Sequence, residues 1–94
     1  MRYQLRDYRI TPGAMDRFLQ AWTEGVVPLR ERFGFRFFGV WANEETHRFV
    51  WIIGHDDFEQ ADQAYYSSPE RTALDPDPAQ WIEKAHHEFV ERVI

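Results

Sequence analysis

Residues 35–53 decide the fold of this chain, and they read FRFFGVWANEETHRFVWII. Two apolar runs flank the polar stretch Asn43–Thr46, a pattern that predicts a β-hairpin. Because successive side chains point to opposite faces of a strand, each run places apolar side chains on both faces. In the first run Phe37 and Trp41 share one parity and Phe38 takes the other. A small antiparallel sheet usually keeps one face in water, so a sheet that is apolar on both faces needs two covers.

The composition bounds the class of protein. The chain has 94 residues, enough for a single domain over residues 1–94 with a modest core. Its formal net charge is −5 and no basic stripe is visible, which argues against a nucleic-acid partner. It has no cysteine, which excludes disulfides, thiolate nucleophiles and cysteine metal sites. No apolar stretch approaches the roughly 18 residues of a membrane span, so we expect a cytoplasmic protein without a membrane partner.

Periodicity predicts the elements of the first half. Residues 2–10 alternate as a strand, and Thr11–Gly13 is expected to cap and begin a helix. That helix should run to a C-cap at Gly34, and Pro28 predicts a kink or local break near Val26–Val27. Its apolar residues recur at helical spacing: Met15, Phe18, Leu19, Trp22, Val26, Leu29 and Phe33.

The second half predicts another helix and a closing strand. Asp56–Glu59 should begin a helix with an aspartate cap, and Ser67–Pro69 should end or bend it. A short helix over 79–86 and a strand over 87–94 follow. The order βαββαβ predicts an α+β, ferredoxin-like protomer, a four-stranded antiparallel sheet with helices on one face. We expect a second copy of the chain to cover the other face.

Several stretches resemble one family in their order and spacing. The opening Tyr3–Gly13, YQLRDYRITPG, resembles the YxLRxYxIxPG start of NIPSNAP-type domains. The similarity continues through Val27–Arg30, Gly39–Trp41 and Phe49–Ile52 and covers nearly the whole chain. The resemblance implies membership of the dimeric α/β-barrel superfamily. In that superfamily two ferredoxin-like sheets pack face to face and close an eight-stranded barrel.

The resemblance implies a fold more firmly than an activity. NIPSNAP-type domains have no generally established catalysis, whereas relatives in the superfamily include cofactor-free monooxygenases, haem-degrading enzymes and small-molecule sensors. The monooxygenase group often carries an AHxxSPH-like stretch on its second helix. The matching residues 64–70 read AYYSSPE, and both histidines are missing.

Three residues are candidates for chemistry. Arg6 and Tyr8 share a parity on the first strand, which is central in this fold. If that parity faces the barrel, they could stabilise a carboxylate, an enolate or a developing oxyanion. Alternatively, Arg6 pairs with an acid across the dimer seam and Tyr8 belongs to the core. His55 ends the third strand beside two aspartates and could act as a general base, or it is a rim histidine hydrogen-bonded to the helix start.

Aromatic side chains are candidates for lining a pocket. Trp41, Trp51 and Tyr65 could bind a planar ligand, and a dimer interface is the alternative for the two tryptophans. No spacing of histidines and acids fits a metal site, so we expect neither a metal nor a cofactor. Other acids are expected to be solvated surface residues: Glu24, Glu31, Glu44, Glu45, Glu59 and Asp62.

Three functions follow from these patterns. The first is a homodimer that binds a small apolar or aromatic molecule in the barrel interior. The second is a cofactor-independent monooxygenase or isomerase for an enolisable aromatic, in which Arg6 and Tyr8 stabilise the anion and His55 takes the proton. The third is a protein-interaction module whose sheet face only joins chains. A cavity with converging polar groups would favour a ligand.

Overall fold

The sheet and helices form in the order that the sequence predicts. The computed structural model describes residues 1–94. The four strands and four α-helices are β1 (Arg2–Ile10), α1 (Met15–Ala21), α2 (Val27–Arg32), β2 (Arg36–Asn43), β3 (Arg48–His55), α3 (Phe58–Ser67), α4 (Pro69–Thr72) and β4 (Ile82–Val90). A π-helical turn at Trp22–Val26 joins α1 to α2, and a 3₁₀ turn at Pro78–Trp81 precedes β4.

The strands lie in the order β2-β3-β1-β4, and every neighbouring pair is antiparallel. β1 is therefore an inner strand, paired on one side with β3 and on the other with β4. The predicted ferredoxin-like α+β fold, with helices on one face of the sheet, is confirmed. We call the sheet face under the helices the helix face and the opposite one the open face.

The core lies between the sheet and the helices. Even-numbered residues of β1 and odd-numbered residues of β3 are buried there, among them Tyr8, Ile10, Phe49 and Trp51. Edge-to-face aromatic pairs connect the layers, such as Trp22 with Phe49 and with Trp51, at centroid distances of 4.9 and 5.2 Å. Such pairs add to the stabilisation that burial alone supplies.

The open face carries the other parity of the same strands. It includes Leu5 of β1 and Ile52 of β3, which the register pairs across the two strands. Phe38 packs edge to face on Tyr3, with ring centroids 5.0 Å apart. The predicted two-faced apolar hairpin is thus present, and one of its faces has no cover within this chain.

A β-bulge moves Trp41 to the open face. The register pairs Phe37 with Ile53 but Gly39 with Ile52, so one extra residue is accommodated between them. Every side chain after the bulge changes face. Trp41 consequently packs across Gly39, where an added Cβ would collide with its ring. The prediction that Trp41 shares a face with Phe37 is wrong for this reason.

The first helix begins later than the sequence predicts. Thr11–Gly13 forms a turn in which Ala14 N donates to Thr11 O at 3.0 Å, and the φ of +82° at Gly13 is incompatible with a helix. α1 therefore begins at Met15. The predicted break before Pro28 is present as the π-helical turn, in which Val27 N donates to Trp22 O. Proline has no N–H group and cannot continue the regular α-helical hydrogen bonds, so the irregular turn precedes it.

The C-terminal assignment is corrected by the structure. Residues 82–90 form the strand β4, so the predicted helix over 79–86 reduces to the turn Pro78–Trp81, and residues 91–94 lie outside the strand. β4 is an edge strand with exposed side chains on most positions. Its conformation depends on pairing with β1. Because most side chains of this edge strand are exposed, its sequence shows only a weak alternation of apolar residues.

Candidate functional site

A pocket of about 460 Å³ lies between the sheet and the helices, within one protomer. Its volume falls in the range of small-molecule sites, about 300–1,000 Å³. It opens beside β4, where the lining residues Ala85 and His87 are exposed. Aromatic and charged side chains dominate its wall: Arg6, Tyr8, Phe18, Trp22, Arg30, Trp51, Asp62, Tyr65, Tyr66, Arg71 and His87.

The parity of β1 places Arg6 and Tyr8 on the helix face. Gln4, Arg6, Tyr8 and Ile10 are all buried there. A barrel made by two sheets would enclose the open faces instead. In such a barrel Arg6 and Tyr8 would therefore point away from the interior, because they face α2 and α3, which supply the polar partners that make the burial of Arg6 possible.

Two arginines and one carboxylate form the polar end of the pocket. Arg6 Nη2 donates to Asp62 Oδ1 at 3.2 Å, and Arg30 Nη1 donates to the same oxygen at 2.7 Å. The two guanidiniums also share the phenol oxygen of Tyr66, at 2.7 Å from Arg6 Nη1 and 3.1 Å from Arg30 Nη2. Arg6 Nε donates to Gln4 Oε1 at 2.7 Å. We call Arg6, Arg30, Asp62 and Tyr66 the arginine cluster.

The two arginines of the arginine cluster are deeply buried, whereas Tyr66 is exposed, and the charges of the cluster do not balance. The side chains of Arg6 and Arg30 are 7% and 1% exposed, and that of Asp62 is 25% exposed. Burial by itself would lower the pKa of Arg6, but Tyr66, Tyr8 and Asp62 raise it above its ordinary value. Arginine side chains are not deprotonated in proteins, so two cations face one carboxylate.

The aromatic wall holds the guanidiniums in place. The Cζ atom of Arg30 lies 3.8 Å from the ring centroid of Tyr65 and 4.6 Å from that of Phe35. Arg6 and Arg30 also lie 5.5 and 5.8 Å from the ring centroid of Trp51. Cations at such distances are attracted by the ring quadrupole. The ring contacts occupy guanidinium faces, so the edges are where hydrogen-bond acceptors can bind.

Tyr8 and Tyr65, two of the three tyrosines in the wall, are protonated phenols at neutral pH. Burial raises the pKa of Tyr8, and the charge of Arg6 opposes that rise only in part. Burial likewise raises the pKa of Tyr65 against the charge of Arg30. Each hydroxyl can therefore donate a hydrogen bond.

Several buried polar atoms around the pocket have no partner within the protein. They are the indole nitrogens of Trp22 and Trp51, the Nε atom of Arg30 and the hydroxyl of Tyr65. All four are hydrogen-bond donors. Donors therefore exceed acceptors in this part of the protein.

His55 lies away from the pocket and acts in the fold. Its Nε2 atom is 2.9 Å from Phe33 O, and its Nδ1 atom accepts from Asp57 N at 2.8 Å. This pattern fixes the tautomer with the proton on Nε2. The ring joins the end of α2 to the start of α3, close to Gly34. Of the predicted site residues, Arg6, Tyr8, Trp51 and Tyr65 line the pocket, whereas His55 and Trp41 do not.

Arg30, Asp62 and Tyr66 line the pocket but were not among the predicted site residues. Arg30 follows Val26 by four residues, so it falls on the apolar stripe of its helix. Asp62 lies four residues before Tyr66 on α3 and between the buried Ala61 and Tyr65. Charged residues on an apolar stripe were the signal that could have identified them. The expectation that Asp62 is a solvated surface residue is wrong.

No group of three or more histidine, aspartate or glutamate side chains could hold a metal ion. None of the helices is both long enough and apolar enough for a transmembrane span.

The fold and the pocket define a ferredoxin-like α+β protein with a polar–aromatic cavity inside the protomer. The NIPSNAP family model matches residues 3–93. Because that match spans nearly the whole sequence, the chain belongs to the NIPSNAP family. No curated protein is significantly similar to it in sequence.

Solved structures share the fold. An uncharacterized NIPSNAP domain protein from Burkholderia xenovorans is 20% identical, with 99% of this chain and 95% of that chain covered and a TM-score of 0.84. A NIPSNAP family protein from Agrobacterium tumefaciens is 14% identical, with 98% and 92% covered and a TM-score of 0.86. A putative antibiotic biosynthesis monooxygenase from Nitrosomonas europaea is 12% identical, with 100% of both chains covered and a TM-score of 0.75. At these identities the likeness concerns the fold alone.

Proposed function

We propose that this protein binds a small aromatic molecule in the pocket between its sheet and its helices. The observation that carries the proposal is the pocket of about 460 Å³, in which an aromatic wall meets the buried arginine cluster. Small-molecule sites are mostly apolar with a few converging polar groups. Two guanidiniums this deeply buried are energetically costly for a protein that uses them only for stability.

Filling the pocket tests the proposal. Ala85 lines the pocket opposite Tyr8 in the β1–β4 register. Ala85→Phe should occupy part of the cavity and abolish binding of an aromatic probe such as 2-naphthoate, as measured by isothermal titration calorimetry. Ala64→Phe makes the same chemical change at an exposed position of α3 outside the pocket wall, so it is the matched control.

Binding that survives Ala85→Phe unchanged would refute the proposed location. If the wild-type protein bound no member of a panel of aromatic probes, the interaction-module function would be favoured instead.

A second candidate function is catalysis on an enolisable aromatic, which is the chemistry of a cofactor-independent isomerase or monooxygenase. The observation that favours it is the placement of Tyr8, a protonated phenol, beside the Arg6 cation in one pocket. His87 also lines this pocket, opposite Arg6 in the β1–β4 register, and would take the proton in place of His55. The fold shared with a putative antibiotic biosynthesis monooxygenase is consistent with this candidate.

Deuterium exchange tests that candidate without a need for the full reaction. The protein should accelerate exchange of the α-protons of 2-tetralone in D₂O, followed by proton NMR. His87→Gln should remove the acceleration, whereas His47→Gln, at the hairpin turn, should leave it. Exchange no faster than in buffer would argue against the enzyme function.

We also propose that a second copy of the chain covers the open face. The support is the apolar patch there, in which Trp41 is 56% exposed and Phe38 is 40% exposed. Exposed apolar patches of this kind mark interaction surfaces. Sedimentation velocity at low micromolar concentration should show a dimer, and Ile52→Glu should convert it to a monomer. A single 11.3 kDa species in the wild type would refute the dimer.

A further inference from the structure

The hydrogen bonds of the arginine cluster leave a surplus of donors. A guanidinium has five N–H groups. Arg6 uses three of them, on Gln4, Tyr66 and Asp62, and Arg30 uses two, on Asp62 and Tyr66. Half of the N–H groups of the two buried cations therefore have no acceptor within the protein.

Tyr66 adds to this surplus. Its phenol oxygen accepts one bond from each arginine. No protein group accepts the proton of its hydroxyl, and the side chain lines the pocket. A ligand group near this phenol would therefore meet guanidinium edges and one O–H donor, and it must itself be an acceptor.

The charge balance narrows the ligand further. Arg6 and Arg30 carry two positive charges, and Asp62 supplies one negative charge. At the mouth of the pocket, Arg71 is already paired with Asp77 at 3.1 Å. One positive charge on these two buried guanidiniums thus remains without a counter-ion, and an uncompensated buried charge is costly.

We propose that the ligand is an aromatic monoanion, with a planar carboxylate bound by the edge of Arg6, the less buried of the two arginines, and its ring against the aromatic wall. This inference rests on the proposed ligand-binding function and adds the chemical class of the ligand. A carboxylate matches the fork of a guanidinium with two parallel hydrogen bonds. Trp51 supplies the wall, since both guanidiniums lie within 6 Å of its ring centroid.

Asp62 then determines the charge of the ligand that the pocket accepts. Its carboxylate neutralises one of the two arginines, so the positive charge of the other is available to an anionic ligand. Asp62→Asn keeps an oxygen acceptor for the arginines but raises the charge of the pocket by one. The variant should bind the carboxylate more tightly and a neutral analogue as before.

The test compares 2-naphthoate with its neutral isostere, naphthalene-2-carboxamide, by isothermal titration calorimetry near pH 7. Because charge-assisted hydrogen bonds are about twice as strong as neutral ones, we expect the carboxylate to bind at least about tenfold more tightly. Arg6→Gln should erase this preference. Arg9→Gln, an exposed arginine of the same strand on the open face, is the matched control and should leave it intact.

The outcomes distinguish a failure of the anionic ligand class from a failure of the ligand-binding function. If the carboxamide binds as tightly as the carboxylate, the anionic class is wrong while the ligand-binding function stands. If neither probe binds, both are overturned. If Arg6→Gln fails to fold, as judged by its circular dichroism, the Asp62→Asn arm decides. A stronger preference for the carboxylate in that variant supports the inference, and an unchanged or weaker preference overturns it.

Discussion

Replacing Asp62 by alanine should destabilise the protein far more than the loss of an ordinary surface ion pair. Asp62 Oδ1 accepts from Arg30 Nη1 at 2.7 Å and from Arg6 Nη2 at 3.2 Å. Its removal leaves two buried guanidiniums without any carboxylate. Breaking a buried ion pair from one side typically costs about 3–5 kcal/mol. Because the Asp62 side chain is 25% exposed, solvent screens part of this, and we expect about 2–4 kcal/mol.

Glu59 provides the matched control on the same helix. It pairs with Arg2 at 2.6 Å, but these side chains are 77% and 50% exposed. Exposed pairs contribute about 0.2–1 kcal/mol. The two alanine variants thus remove ion pairs of similar length from one helix and differ mainly in the burial of the arginine partners.

Urea unfolding followed by tryptophan fluorescence measures the difference. With a urea slope of about 1–3 kcal/mol/M for a small domain, Asp62→Ala should lower the midpoint by about 0.7–4 M, and Glu59→Ala by well under that. Both must be measured at one protein concentration, since self-association would make stability concentration-dependent. Equal midpoints for the two variants would refute the conclusion that the arginine cluster is a buried, charge-coupled unit.

Two further predictions concern groups outside the pocket. His55→Ala removes the hydrogen bonds to Phe33 O and Asp57 N and should lower the free energy of unfolding by about 1–3 kcal/mol. The affinity for 2-naphthoate should stay unchanged. A loss of affinity in a folded variant would show that His55 belongs to the binding site. Arg48 hydrogen-bonds Asp7 at 3.0 and 2.7 Å and lowers its pKa in the folded protein. Ionised Asp7 therefore stabilises the fold above its ordinary pKa, and this stabilisation is lost as pH falls through the lowered value. The difference in unfolding free energy between wild type and Asp7→Asn should shrink from about pH 6 to about pH 3, and a constant difference would contradict the pairing.

The fold was largely predictable because its strong periodic signals are local. β1 and the hairpin alternate clearly, and Pro28 disturbs its helix where the sequence predicts a break. The errors occur where tertiary pairing overrides a weak local pattern. β4 is an exposed edge strand that depends on β1, and the bulge before Gly39 is a single-residue irregularity that inverts the face of Trp41.

The candidate site was predictable in part. Arg6 and Tyr8 are noticeable in the sequence because an arginine and a phenol share a parity with buried residues. Whether their side chains face the helices or a barrel could not be predicted, because the sequence does not reveal which face of the sheet the helices cover. Arg30 and Asp62 lie on the apolar stripes of their helices, but the sequence does not show that the two helices bring them together with Arg6.

The location of the ligand is tested most directly by the indole N–H signals of the tryptophans during titration with 2-naphthoate. In ¹H–¹⁵N NMR spectra, with signals assigned by Trp→Phe variants, the signals of Trp22 and Trp51 should shift in proportion to occupancy. The signal of Trp41, on the open face, should stay in place. A shift of Trp41 with Trp22 and Trp51 unmoved would put the ligand between two sheets and contradict a pocket inside the protomer.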